Sequence, residues 1–66
     1  MFIRLGTSTG PERFNVLQIA SYEDRPEGGA EIYTPRGVTI VCQSAAQIDD
    51  LIFAALAPFA SRLHLP

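Results

Sequence analysis

The chain of 66 residues has a single cysteine, Cys42, a single histidine, His64, and no lysine at all. One cysteine excludes an internal disulfide. One Cys with one His falls short of the four side-chain ligands that a structural zinc site typically takes. A reactive Cys42–His64 pair has no identifiable orienting third group, and catalysis by a nucleophile needs its base within hydrogen-bond reach. The five cations are all arginine, Arg4, Arg13, Arg25, Arg36 and Arg62, scattered against seven acids for a net charge of −2. Binding of a phosphate backbone draws on clustered positive charge, so a nucleic-acid partner is disfavoured. Long apolar runs are also missing. The longest, Leu51 to Ala60, is about half of what a bilayer-spanning helix requires. The polar residues from Arg4 to Arg13 interrupt any leader-like apolar segment. A soluble, cytoplasmic chain without membrane insertion is the expectation, and a lone free thiol fits a reducing compartment.

Phosphate and calcium loops are absent as well. Gly6 and Gly10 are not followed by a G-K-[ST] element or directly by a helix. The acidic set Glu23, Asp24 and Glu27 brackets a turn without the D-x-D-x-D-G pattern of a calcium loop. Asp49 and Asp50 are adjacent on a predicted helix, so their side chains diverge by about 100° and do not converge on one metal. No cofactor, metal site or catalytic constellation is expected, and an enzyme would need its site built across subunits.

What is present is a strong helix signal. Ser44-Ala45-Ala46-Gln47 matches a capping box, in which the Ser hydroxyl and the Gln amide satisfy each other's backbone N–H groups. Ile48, Leu51, Ile52, Ala55, Leu56 and Phe59 follow at the spacing of one buried helical face. The spacing predicts a helix over about 45–57. Pro58 is expected to stop or kink it, because proline has no N–H to donate and restricts Ala57.

Upstream, strand composition predicts strands at about 1–5, 14–23, 30–34 and 38–42, with Gly6–Pro11 as a loop. Val16 and Leu17 break the alternation of the second strand, which a bulge, or a strand apolar on both sides, would explain. Pro35-Arg36-Gly37 suits a tight hairpin connection. The fold class is therefore α+β: one small domain over 1–66, an antiparallel meander of three to four strands packed against one C-terminal amphipathic helix.

Two features invite a functional reading. Phe53 lies off the predicted core stripe, flanked by Ala54 and Ala57 on a helix back that carries few charges. That is the composition of a contact surface for a second copy or a partner protein. Tyr33 and Arg36, near the hairpin tip, are the candidates for a nucleic-acid contact by stacking and phosphate pairing. A domain this short buries only about 60% of its unfolded surface, and association is a common remedy. The leading expectation is a non-enzymatic protein-interaction module that forms a homo-oligomer or docks to a partner protein. The alternative is a small nucleic-acid-binding regulator.

The residues Arg4-Leu5, Phe14-Asn15-Val16-Leu17 with Ile19, Glu31-Ile32-Tyr33-Thr34 before Gly37, and Ser44 followed by Ile48 occur in an order that resembles the small flagellar FlbD/SwrD-type proteins. The resemblance covers about residues 1–52. It implies a non-catalytic role and carries over no active site. The alanine-rich helix, the Gly28-Gly29 turn and the Leu-His-Leu-Pro tail depart from that pattern.

Overall fold

A computed structural model describes the backbone over residues 1–63 and the side chains over residues 1–58. The order of elements is β1 (Phe2–Thr7), β2 (Gly10–Asn15), a 3-10 turn (Val16–Gln18), β3 (Ser21–Asp24), β4 (Ala30–Thr34), β5 (Gly37–Val41) and α1 (Ala45–Leu63). The α+β class holds. Five strands form two antiparallel sheets, a β1–β2 hairpin and a β3–β4–β5 meander, in place of one sheet of three or four.

The predicted strand over 14–23 divides in two. Asn15 accepts a hydrogen bond from the Leu17 amide at 3.0 Å and so starts the 3-10 turn. That turn puts Leu17 into solvent and lets Val16 pack against the core. The adjacency of two apolar residues thus resolves as a corner between sheets, where a bulge or a strand apolar on both sides was expected. Gly6–Pro11, expected as a loop, closes the β1–β2 hairpin, with Thr7 opposite Gly10. The Thr7 hydroxyl donates to the Gly10 carbonyl at 2.7 Å, and Gly10 takes a φ of +114° that suits glycine alone. The β4–β5 turn, Thr34-Pro35-Arg36-Gly37, repeats the pattern: threonine at entry and glycine at exit, with the Arg36 amide donating to the Thr34 hydroxyl.

The core lies between the two sheets and the first turns of α1. Ile3, Leu5 and Phe14 of the hairpin meet Ala30, Ile32 and Val41 of the meander, and Ile48 of the helix closes over them. Leu5, Ile32 and Ile48 are fully buried. At one corner β1 is tied to the end of β5: the Cys42 amide donates to the Gly6 carbonyl at 2.8 Å. The Gly6 amide in turn donates to Gln43 Oε1 at 3.0 Å. Gly29, at φ +73°, is fixed by contact, since a Cβ there would collide with the Val41 carbonyl.

The helix starts as the capping box requires. Gln47 N–H donates to the Ser44 hydroxyl at 3.2 Å, and Ser44 N–H donates to Gln47 Oε1 at 2.8 Å. Asp24, at the end of β3, accepts from the Ala45 amide at 2.7 Å and caps the helix from a distance in sequence. Tyr22 donates its hydroxyl proton to Asp49, one turn further along. The helix does not stop at Pro58 but continues to Leu63. The carbonyl that Pro58 leaves without a donor belongs to Ala54, an exposed residue where water can take the place of the missing N–H. Residues 64–66, with His64, lie outside the described residues.

Candidate functional site

Helix α1 reaches the core through Ile48, Ile52 and Ala55. These three span a narrow stripe at i, i+4 and i+7. Leu51 and Leu56, predicted to share the buried face, are instead 37% and 36% exposed. Two small sheets offer too narrow a platform to cover the full apolar face of a helix, so its flanks stay open. The Phe59 side chain lies outside the described residues. Phe53 is 76% exposed, Ala54 is exposed and Ala57 is half-buried. The expected back of the helix is therefore where the residues place it. It is wider than expected, because Leu51 and Leu56 extend it on both sides. No charged residue occurs from Leu51 to Ser61.

Tyr33 and Arg36 are not brought together. Tyr33 pairs with Val38 on the outer face of the meander, whereas Thr34 and Thr39 lie on the face of Ile32. Arg36 lines a cleft of about 220 Å³ on that second side, together with Glu12, Arg13, Phe14, Asn15, Gln18, Thr34 and Thr39. The Tyr33 hydroxyl is hydrogen-bonded to Glu31 at 2.7 Å and to Glu23 at 3.2 Å. The bond to Glu31, with some desolvation and the bond to Glu23, pushes the phenol pKa up to about 12. Two carboxylates beside the ring repel phosphate, so this aromatic is poorly placed to stack a nucleic-acid base.

The outer face of the meander also exposes Val38 and Ile40 at 57% and 50%. Sequence alternation puts these two on one face with Cys42, and that face points to solvent, while Val41 points to the core.

Sequence reasoning overlooked the outer face of the β1–β2 hairpin. Arg4 and Arg13 stand directly opposite each other, and Phe2 pairs with Asn15 on the same face. The Arg13 guanidinium lies over the Phe2 ring, 4.5 Å from its centroid. The signal that finds this face is the Thr-x-x-Gly turn. Once Thr7 is set opposite Gly10, the antiparallel register carries Arg4 to Arg13.

Among the described residues, no three His, Cys, Asp or Glu side chains gather closely enough to hold a metal ion. No helix among them is long and apolar enough to cross a membrane. No protein-family model matches the chain, and comparison with curated proteins and with solved structures returns no match.

Proposed function

We propose that the chain is a non-enzymatic protein-interaction module that binds a second copy of itself, or a partner protein, through α1. The observation that carries this is Phe53, 76% exposed on a helical segment with no charge from Leu51 to Ser61. A helix surface that faces only water is ordinarily polar. Apart from Asp49 and Asp50, one turn before Phe53, this one is apolar on its back and on both flanks, the composition of a helix with something packed against it. Small size supports the same reading, since a second surface adds the buried area that one short domain lacks. The resemblance to FlbD/SwrD-type proteins also implies a role without catalysis. The free thiol of Cys42 fits a reducing compartment such as the cytoplasm.

The test is Phe53→Glu. Light scattering on a sizing column should show a concentration-dependent oligomer, and the variant should lower its mass while the far-ultraviolet circular dichroism stays unchanged. If the wild type is a monomer, the same variant should abolish capture of a partner from lysate by the immobilised chain. Unchanged assembly together with unchanged capture sinks the assignment.

A further inference from the structure

The β1–β2 hairpin carries a like-charge pair that its fold does not require. Pro11, which has no N–H to donate, occupies the pair with Gly6. Pairs of that parity are the non-hydrogen-bonded ones, and Arg4↔Arg13 is among them. In such pairs the side chains come closest, and like charges directly opposite are destabilising. Neither arginine is in an ion pair with a described residue. Among the described residues the one ion pair is Arg25 with Glu27. The single carboxylate of the hairpin, Glu12, pairs with Leu5 on the other face. Both arginines are exposed, and Phe2 beside them is half exposed.

We infer that this face binds single-stranded nucleic acid, with one backbone phosphate held between Arg4 and Arg13 and a base stacked on the Arg13–Phe2 pair. Two arginines whose backbones stand directly opposite in the closest cross-strand register carry donors enough to match the several acceptor oxygens of a phosphate. An anion there turns a repulsive pair into two attractive ones. Bases stack on guanidinium planes as well as on aromatic rings, so the Arg13–Phe2 stack offers a sequence-tolerant platform. Asn15, opposite Phe2, supplies amide donor and acceptor groups at the edge of that platform. The cleft behind it continues in polar side chains, Gln18, Thr34 and Thr39, with Arg36 and the one carboxylate, Glu12, also lining it. The site is distinct from the Tyr33 surface, where Glu23 and Glu31 oppose phosphate, and it does not depend on the helix reading.

The experiment is fluorescence anisotropy of a labelled single-stranded oligonucleotide of about 12 nucleotides, within the range of known single-strand site sizes, titrated with the full chain at several salt concentrations. Binding should weaken with a log–log salt slope of about −0.7, the value for one neutralised phosphate on a single strand. Arg4→Gln and Arg13→Gln should each weaken it about tenfold or more and flatten the slope. Phe2→Ala should weaken it while leaving the slope unchanged. Melting temperatures of the two glutamine variants should equal or exceed wild type, because each relieves the repulsion. Should either variant unfold, Arg13→Lys serves in its place: it keeps the charge and the slope but loses the stack, and so should bind more weakly than wild type.

No binding at low salt overturns the inference. So does wild-type affinity in the Arg4→Gln, Arg13→Gln double variant. Equal affinity for a duplex of the same length, which presents no free base, overturns the stacking role. Binding to anionic lipid vesicles without binding to the oligonucleotide assigns the face to a different phosphate source and overturns it too.

Discussion

Tyr33 presents one hydroxyl proton to two carboxylates, Glu31 and Glu23, on the open face of a sheet. Ionising that phenol would forfeit the hydrogen bond it donates to Glu31, and desolvation, the bond to Glu23 and repulsion from both carboxylates add to this, so its pKa is pushed up to about 12. Tyr22 is raised as well, chiefly by its bond to Asp49. Both shifts are upward, so folding holds the neutral phenols in preference to the phenolates. The stabilisation is fully present below the ordinary tyrosine value near 10 and is lost as the pH climbs from there toward 12. An ultraviolet titration of the phenolate band should show both tyrosines ionising above the free value, with one midpoint near 12. Tyr33→Phe should remove that last step and leave the other. A midpoint near 10 in the wild type would mean that the two carboxylates do not hold the Tyr33 proton in solution. None of this was legible from residue type alone. Glu31 and Tyr33 share a face of β4 at i and i+2, whereas Glu23 joins them only through the β3–β4 register, in which it pairs with Glu31.

At the scale of the elements, the start of α1 was the clearest feature of the sequence, because a capping box is local. Its donors, acceptors and spacing all fall within Ser44–Gln47. The second cap, Asp24, was not visible, because it reaches the Ala45 amide from β3 across a separation of 21 residues. The two caps serve different N–H groups, those of Gln47 and Ala45. Ser44→Ala and Asp24→Ala should therefore each cost about 1 kcal/mol, and the double variant close to about 2 kcal/mol. Urea denaturation followed by circular dichroism measures all three. A double variant no less stable than either single one would show that one cap substitutes for the other.

The strands were harder to read for the opposite reason. Phe14 to Tyr22 has strand composition throughout, and what divides it is the Asn15 side chain turning the chain at Val16–Gln18. The first hairpin was hidden by its turn residues, Thr7 to Gly10, which have loop composition. Their match to Thr34-Pro35-Arg36-Gly37 is apparent once both turns are seen closed by the same Thr and Gly positions. The far half of the helix diverged from expectation through packing and not through propensity. Ile48, Ile52 and Ala55 find a platform, while Leu51 and Leu56 overhang it. Exposure of the Phe53 surface was legible, since helical periodicity alone sets it apart from the stripe of Ile48.

For the whole molecule, the decisive feature is how its two sheets are joined. Between β1 and the end of β5, the hydrogen bonds run from the Cys42 amide to the Gly6 carbonyl and from the Gly6 amide to the Gln43 side chain. Gly6 is also where the backbones approach, its Cα side within van der Waals range of the Cys42 sulfur: a Cβ would lie 3.4 Å from it. Beyond these bonds the hairpin is held by the packing of Ile3, Leu5 and Phe14 on Ala30, Ile32, Val41 and Ile48, and a join made mostly of apolar contact has a consequence for motion. The β1–β2 hairpin is expected to open as one cooperative unit, exposing that core while β3–β5 keeps its ladder, in the manner of a sub-global opening. Amide hydrogen exchange should then divide the strands into two classes, with Ile3 and Leu5 exchanging faster than Ile32. Gln43→Ala should widen the gap by accelerating the hairpin alone; uniform acceleration of all five strands would show that the molecule opens only as a whole. The hairpin would then act as a flap on a latch, its arginine face carried on the part of the molecule most free to swing toward a ligand.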